Sequence, residues 1–306
     1  MSRYRNLGLF LALAALWGSA FMAIKAGLSY FPPVLFAAVR YDVAGVIMLG
    51  YAVLTTDQWR PRSRADWAEV AVGATFLIAA YHAFLFVGEQ GTTSAAAAVI
   101  VSLSPILTTG FARALLPSQR LGLVGAAGMA LGLVGVAILS RPDPGNLLAA
   151  DVISKGLVFL AALSFALGSV LSERVDSDLP IETMEAWSML GGAALMHVAS
   201  LGLGESPAAV AWTPEALAAL AYLSLGASAL GFLIYFDLLE RVGAVEINLV
   251  SYVAPVFAAL AGYLFLKEVI DAVTVVGFLV IVAGFYLIKR RTIREEWPRL
   301  RAVLGR

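Results

Sequence analysis

Leu13-Ala14-Ala15-Leu16 returns later in the chain as Leu160-Ala161-Ala162-Leu163, a separation of 147 residues. The same offset relates Pro33 to Pro180 and Gly45 to Gly192. Farther along, Pro105 matches Pro255 at an offset of 150, while Gly128 and Gly135 match Gly277 and Gly284 at 149. Identity is thin, but order and spacing persist, which is the mark of an internal duplication. The chain is therefore read as one unit over residues 1–145, a second over 146–290 and a basic tail over 291–306.

Each copy is strongly apolar. Of the 306 residues, 60% are hydrophobic and 14% charged, against about 25% charged in an ordinary soluble domain. Such a chain cannot cover itself with polar surface, and its mean hydropathy of +0.86 points to hydrocarbon as the outer solvent. A helix needs about 20 apolar residues to cross a bilayer. Ten such segments lie near 7–29, 33–54, 67–88, 92–116, 121–140, 154–173, 182–203, 214–238, 243–266 and 271–289. Prolines and glycines punctuate the joins, among them Pro32-Pro33, Pro61, Pro117, Pro142, Pro144-Gly145, Pro180, Pro207 and Pro214. Five spans per copy is an odd number, so the second copy must enter the membrane from the opposite face. The expected fold is an all-α integral membrane protein of ten transmembrane helices arranged as two inverted five-helix repeats.

Charge placement supports the count. With the N-terminus in the cytoplasm, 16 of the 21 Lys and Arg residues fall on the cytoplasmic side. Three fall outside (Arg141, Lys155, Lys267) and two within spans (Lys25, Arg40), as the positive-inside rule requires. Both termini are then cytoplasmic, in a multi-pass protein of the cell's inner membrane. The basic start Met1-Ser2-Arg3-Tyr4-Arg5 is read as the head of a retained first helix, with no cleavage site after it. The tail from Lys289-Arg290-Arg291, with Trp297, is an orientation signal suited to anionic headgroups.

Several functions are disfavoured. Net charge is zero, so no global field draws nucleic acid. The absence of cysteine removes thiolate catalysis, thiolate metal sites and disulfides. No His-Glu-x-x-His, Gly-x-Ser-x-Gly or nucleotide-binding Gly-x-x-x-x-Gly-Lys pattern occurs, which speaks against an intramembrane enzyme and a primary pump. No cofactor or metal is expected. Two similar halves of opposite orientation can exchange conformations around a fixed central site, which is the logic of a secondary transporter working by alternating access.

The second half also carries familiar motifs. Tyr235-Phe236-Asp237-Leu238-Leu239-Glu240-Arg241-Val242-Gly243-Ala244-Val245-Glu246 is followed by Tyr252-Val253-Ala254-Pro255-Val256-Phe257, then by Gly262-Tyr263-Leu264-Phe265-Leu266-Lys267-Glu268, Gly277 and Gly284. The first half offers Arg40, the stretch from Tyr81 to Ala98, Pro105 and a glycine-rich fifth span. Together, over about residues 7–289, these resemble the EamA-type branch of the drug/metabolite transporter superfamily. The chain departs from that pattern at Ser118, near where many members carry the Glu that Glu268 supplies in the second half. The resemblance implies ten helices and secondary transport, frequently export of amino acids or other metabolites. A broad drug-efflux protein is the alternative.

Candidate site residues follow from depth and chemistry. Arg40 lies about 12 Å below the outer hydrocarbon edge and Asp42 near the midplane, counting 1.5 Å per residue from Pro32. Neither faces lipid cheaply, so each needs a protein partner or a wet cavity. Being two apart on a helix, they point in different directions. For Arg40 a structural anchor is the favoured reading; for Asp42 anchoring and substrate or proton handling stand level. Lys25 is near enough to the outer end of its helix to snorkel. Trp17, Tyr81, His82, Ser102, Asn248 and Tyr252 offer flat apolar faces with polar handles, as a site for a small organic solute requires, although packing would account for each. His82 adds the option of protons as a coupling ion; His197 has less support. Pro105 and Pro255, at matching positions of the fourth and ninth spans, are candidate hinges. Gly128-Met129-Ala130-Leu131-Gly132, with Gly277 and Gly284, permits contact between the fifth and tenth helices or between two copies, so monomer and homodimer both remain open.

Overall fold

The computed structural model describes residues 2–115, 123–140, 149–242, 247 and 249–304. All regular elements among them are helical, and ten bundle helices follow one another in the expected order. They are α1 (Ser2–Gly27), α2 (Pro33–Thr55), α3 (Arg64–Glu89), α4 (Ser94–Leu115), α5 (Leu123–Ser140), α6 (Ala150–Arg174), α7 (Ile181–Gly202), α8 (Pro214–Arg241), α9 (Val250–Leu266) and α10 (Ala272–Leu304). Seven of these are long and apolar enough to cross a membrane by themselves, and α9 and the Ala272–Ile288 part of α10 are shorter apolar helices. The helix α10 runs on through the basic segment to Leu304.

Local chemistry sets the ends. Pro33 opens α2 and Pro214 opens α8, at first-turn positions where a missing amide leaves no bond unmade. Thr213 accepts from the Ala216 amide, and Ser63 forms a reciprocal capping box with Asp66 at the start of α3. Other helix starts are capped from a distance. The Glu205 carboxylate, beyond the end of α7, accepts from the Val34 and Leu35 amides at 3.1 and 2.8 Å. Glu268, beyond the end of α9, accepts from the Ser94 amide at 3.2 and 3.0 Å. Charged acceptors suit the positive end of a helix dipole.

The packing carries the inversion. Helices α5 and α10 form the most extensive contact, followed by α2 with α7 and α3 with α6. A Cβ added at Gly128 would meet the Gly284 carbonyl at 2.6 Å, and one added at Gly135 would meet the Gly277 carbonyl at 2.8 Å. Gly128 thus touches the counterpart of Gly135, and Gly135 touches the counterpart of Gly128. Only a two-fold relation between helices running in opposite directions produces that exchange. The other contacts obey the same swap: α1 packs on α9 as α6 packs on α4, and α2 on α8 as α7 on α3.

A second matched feature was not legible in the sequence. Within α3, residues Gly73–Ala80 form a π-helical stretch, and within α8 residues Tyr222–Leu230 do the same. Their starts differ by 149 residues, the offset of the glycines. In the wider turn an amide reaches the carbonyl five residues back, as the Gly231 amide does to Gly226. Single π turns inside α-helices recur at functional sites.

Candidate functional site

Both π stretches present polar atoms to the bundle interior. From α8, consecutive residues receive two long side chains: the Ala227 carbonyl accepts from Trp17 Nε1 at 3.1 Å, and Ser228 Oγ accepts from Arg40 Nε at 3.1 Å. From α3, the Ile78 carbonyl accepts from His82 Nδ1 at 2.8 Å, and the Phe76 carbonyl accepts from Ser164 Oγ at 2.8 Å. With Nδ1 donating, His82 Nε2 is the acceptor for the Tyr41 hydroxyl at 2.7 Å. A polar thread therefore crosses the bundle from Ser228 on α8 to Arg40 and Tyr41 on α2 and His82 on α3. Arg40, Tyr41, His82 and Ser228 are all buried.

Aromatic rings wrap this thread. The Arg40 guanidinium carbon lies 5.0 Å from the Tyr41 ring centroid and 6.0 Å from that of Phe86, so each ring offers its negative face to the charge. Tyr81 meets His82 edge-on at 4.5 Å between centroids, and Trp17 packs on Phe232 and Tyr235 at 5.9 and 5.6 Å. Among the described residues, Arg40 has no carboxylate within 4 Å. Glu185, near the start of α7, acts electrostatically on both Tyr41 and Tyr235. Arg40 and Glu185 thus bear on one aromatic core, with no ion pair between them among the described residues.

The sequence-derived candidates separate into groups. Arg40, Tyr81 and His82 gather on the thread, and Trp17 joins them through the residue beside Ser228. Tyr252, on α9, stacks on Phe285 at 4.3 Å between centroids, and its buried hydroxyl has no partner among the described residues. Ser102 is buried with its hydroxyl bonded to the Val99 carbonyl at 2.6 Å. Asn248 lies outside the described residues. Asp42 points away from Arg40 and toward the flank of the bundle, where its carboxylate meets His197 Nε2 at 2.7 Å across the α2 and α7 contact. Lys25 Nζ donates to the Glu89 and Gln90 carbonyls, each at 2.9 Å. Pro105 follows an interruption of α4 at Ser102 and Leu103; the Val101 carbonyl that its missing amide would have met accepts instead from Ser104 Oγ at 2.7 Å. Pro255 sits inside an unbroken stretch of α9.

Sequence reasoning passed over Tyr41, Ser228, Glu185 and Glu89. The last is a fully buried acid whose two carboxyl oxygens have no hydrogen-bond partner among the described residues. Each of the two acids stands within one or two turns of a span's end, where a charge draws no notice in the sequence.

Ten apolar helices in a two-fold swap, with a buried polar thread at the centre, define a multi-pass membrane transporter. The profile of the EamA-like transporter family matches residues 6–141 and, a second time, 154–290, and the chain belongs to that family, within the drug/metabolite transporter superfamily. It is 30% identical over 267 residues to an uncharacterized inner membrane transporter, YedA, of Escherichia coli strain K12, covering 85% of this chain and 84% of that one. It is 25% identical to an uncharacterized transporter, YvbV, of Bacillus subtilis, covering 95% and 94%. A WAT1-related chloroplastic protein of Arabidopsis thaliana is 27% identical across 89% of this chain, which spans 66% of the plant protein's length. A solved crystal structure, 22% identical and aligned over 94% of this chain and 97% of its own, superposes with a TM-score of 0.65 and shares the fold.

Proposed function

We propose that this transporter exports an amino acid or a related amphipathic metabolite by alternating access. One observation carries the reading: Arg40 is buried among the Tyr41 and Phe86 rings with a bond to Ser228 and no carboxylate within 4 Å among the described residues, while Glu185 acts on the same Tyr41. A buried charge with no protein counter-charge is costly. A zwitterion would relieve both groups at once, its carboxylate toward Arg40 and its ammonium toward Glu185. Trp17, Tyr81, Tyr235 and Tyr252 would supply apolar faces for the side chain, with His82 and Tyr252 as polar handles. Both termini lie in the cytoplasm on this reading, so the Lys25 end of the bundle faces outward, and the interruption before Pro105 together with Pro255 gives α4 and α9 their hinges.

Purified protein in liposomes, tested with a panel of radiolabelled solutes, checks the proposal. Stereoselective transport of an amino acid with an apolar or aromatic side chain is the expected result. Transport that ignores shape and handedness would point instead to broad drug efflux, and transport confined to cations without a carboxylate would overturn the zwitterion.

A further inference from the structure

At the outer end of α3 the core closes over an acid that nothing satisfies. Glu89 is fully buried, and neither carboxyl oxygen has a hydrogen-bond partner among the described residues. The charged and titratable groups around it come from every helix packed on this end. Lys25 of α1 is close, but its ammonium is committed to the Glu89 and Gln90 carbonyls rather than to the carboxyl. Arg40 of α2 acts from the core and Glu268, before α10, from the other side. Tyr81 and His82 lie on α3 itself, and Asp151 and Lys155 of α6, with Asp271 before α10, line the vestibule of about 500 Å³ that Lys25 and Glu268 share. The residue also ends α3, where the helix dipole presents its negative pole.

These surroundings fit a neutral carboxyl and not a charged one. An ionised carboxylate removed from water needs several hydrogen bonds or a direct counter-ion to be tolerated, and Glu89 has neither. Opening this end would expose the same group to the vestibule water and to Lys25, where the charged form is at home. Closure and protonation are therefore linked: the sealed state holds one more proton than the open one.

We propose that Glu89 is a proton-binding site that must be protonated before the Lys25 end of the bundle can seal, so that each closure of that end takes up one proton from the vestibule. The inference deepens the proposed transport function and rests on it for its cycle, but the gate can be tested without any substrate. On closure the vestibule donates the proton to a Glu89 carboxylate oxygen; on opening the O–H bond breaks and the proton returns to water. A full cycle draws a proton into the coupling scheme only if the opposite face can also reach Glu89.

The native chain has no cysteine, so single cysteines report without background. Val99→Cys places a probe on α4, 4% exposed and about two turns inward of Thr93. Its maleimide labelling, divided by that of an exposed reference, Ser29→Cys, removes the thiol's own pH dependence. With Glu89 present, the ratio rises as pH is raised, by up to about tenfold per pH unit, the limit for one released proton. With Glu89→Gln, permanently neutral, the ratio stays low and flat. A flat ratio in the presence of Glu89, or an unchanged slope in Glu89→Gln, overturns the proposal. Size-exclusion behaviour and melting temperature confirm that Glu89→Gln is folded, and Glu89→Asp, which keeps the titratable group, should restore the slope if Glu89→Gln does not fold. Loss of transport in the native protein would strike the functional reading alone and leave the gate standing or falling on its labelling.

Discussion

Arg40 and Glu185 differ from several other ionisable residues of the bundle in having no capping or pairing task, and they share that with the buried Glu89. Lys25 closes helix carbonyls, Glu205 and Glu268 cap helix starts, and Asp42 meets His197. Arg40 gives one N–H to Ser228 and keeps the rest of its guanidinium among rings. Replacing it with Gln should raise KM for an amino acid about tenfold to a hundredfold, the loss expected when one charged hydrogen-bonding partner disappears. Glu185→Gln should weaken the same amino acid but spare its des-amino carboxylic acid, while Arg40→Gln should weaken both. Transport assays with the two ligands on the two variants separate the roles. Equal losses for both ligands in Glu185→Gln would remove the ammonium contact from the proposal. Arg40, His82, Tyr81 and Trp17 were legible in the sequence because each is an expensive or bulky residue inside an apolar span. Glu185 was not, because two acids in the first turns of a helix read as ordinary complements to its dipole. Glu89 was hidden in the same way, looking like part of the polar turn Glu89-Gln90-Gly91-Thr92 although its side chain turns inward.

At the scale of elements, the repeat offset and the glycine pattern were legible, whereas the π stretches were not. A wide turn changes hydrogen bonding by one residue and leaves the apolar run intact, so hydropathy carries no trace of it. Its consequence is nevertheless chemical, since the displaced turns of α3 and α8 supply the acceptors that hold His82, Trp17 and Arg40. The glycines act differently, through close approach. At Gly284 an added Cβ would lie 2.6 Å from the Gly128 carbonyl and 2.8 Å from the Gly132 amide, both backbone atoms with little freedom to move. Gly284→Val should therefore spread α5 from α10 and destabilise the protein by about 1–3 kcal/mol, the range for overpacking a close contact. Gly202, where an added Cβ would meet nothing within 4 Å, provides the control: Gly202→Ala should leave the melting temperature nearly unchanged. Thermal unfolding in detergent measures both, and a Gly284→Val variant as stable as the parent would show that α5 and α10 can part without loss.

For the whole molecule, opposite orientation of the two copies is the claim on which alternating access depends, and the crosswise glycine contacts already require α5 and α10 to run antiparallel. The turns test it independently. Ser29, after α1, and Asp176, after α6, are separated by the repeat offset of 147 and are both exposed. In a parallel duplication these equivalent turns would share a face of the membrane. In an inverted one they must lie on opposite faces, because five helices separate them. Single cysteines at the two positions, treated in intact cells with a membrane-impermeant maleimide, should label at Ser29→Cys and not at Asp176→Cys until the membrane is permeabilised. The reverse pattern would keep the inversion and flip both termini to the outside, against the basic residues gathered at that end. Labelling of both positions from one face would leave no pair of mirror-related halves to exchange, and a central site served alternately from two sides would lose its structural basis.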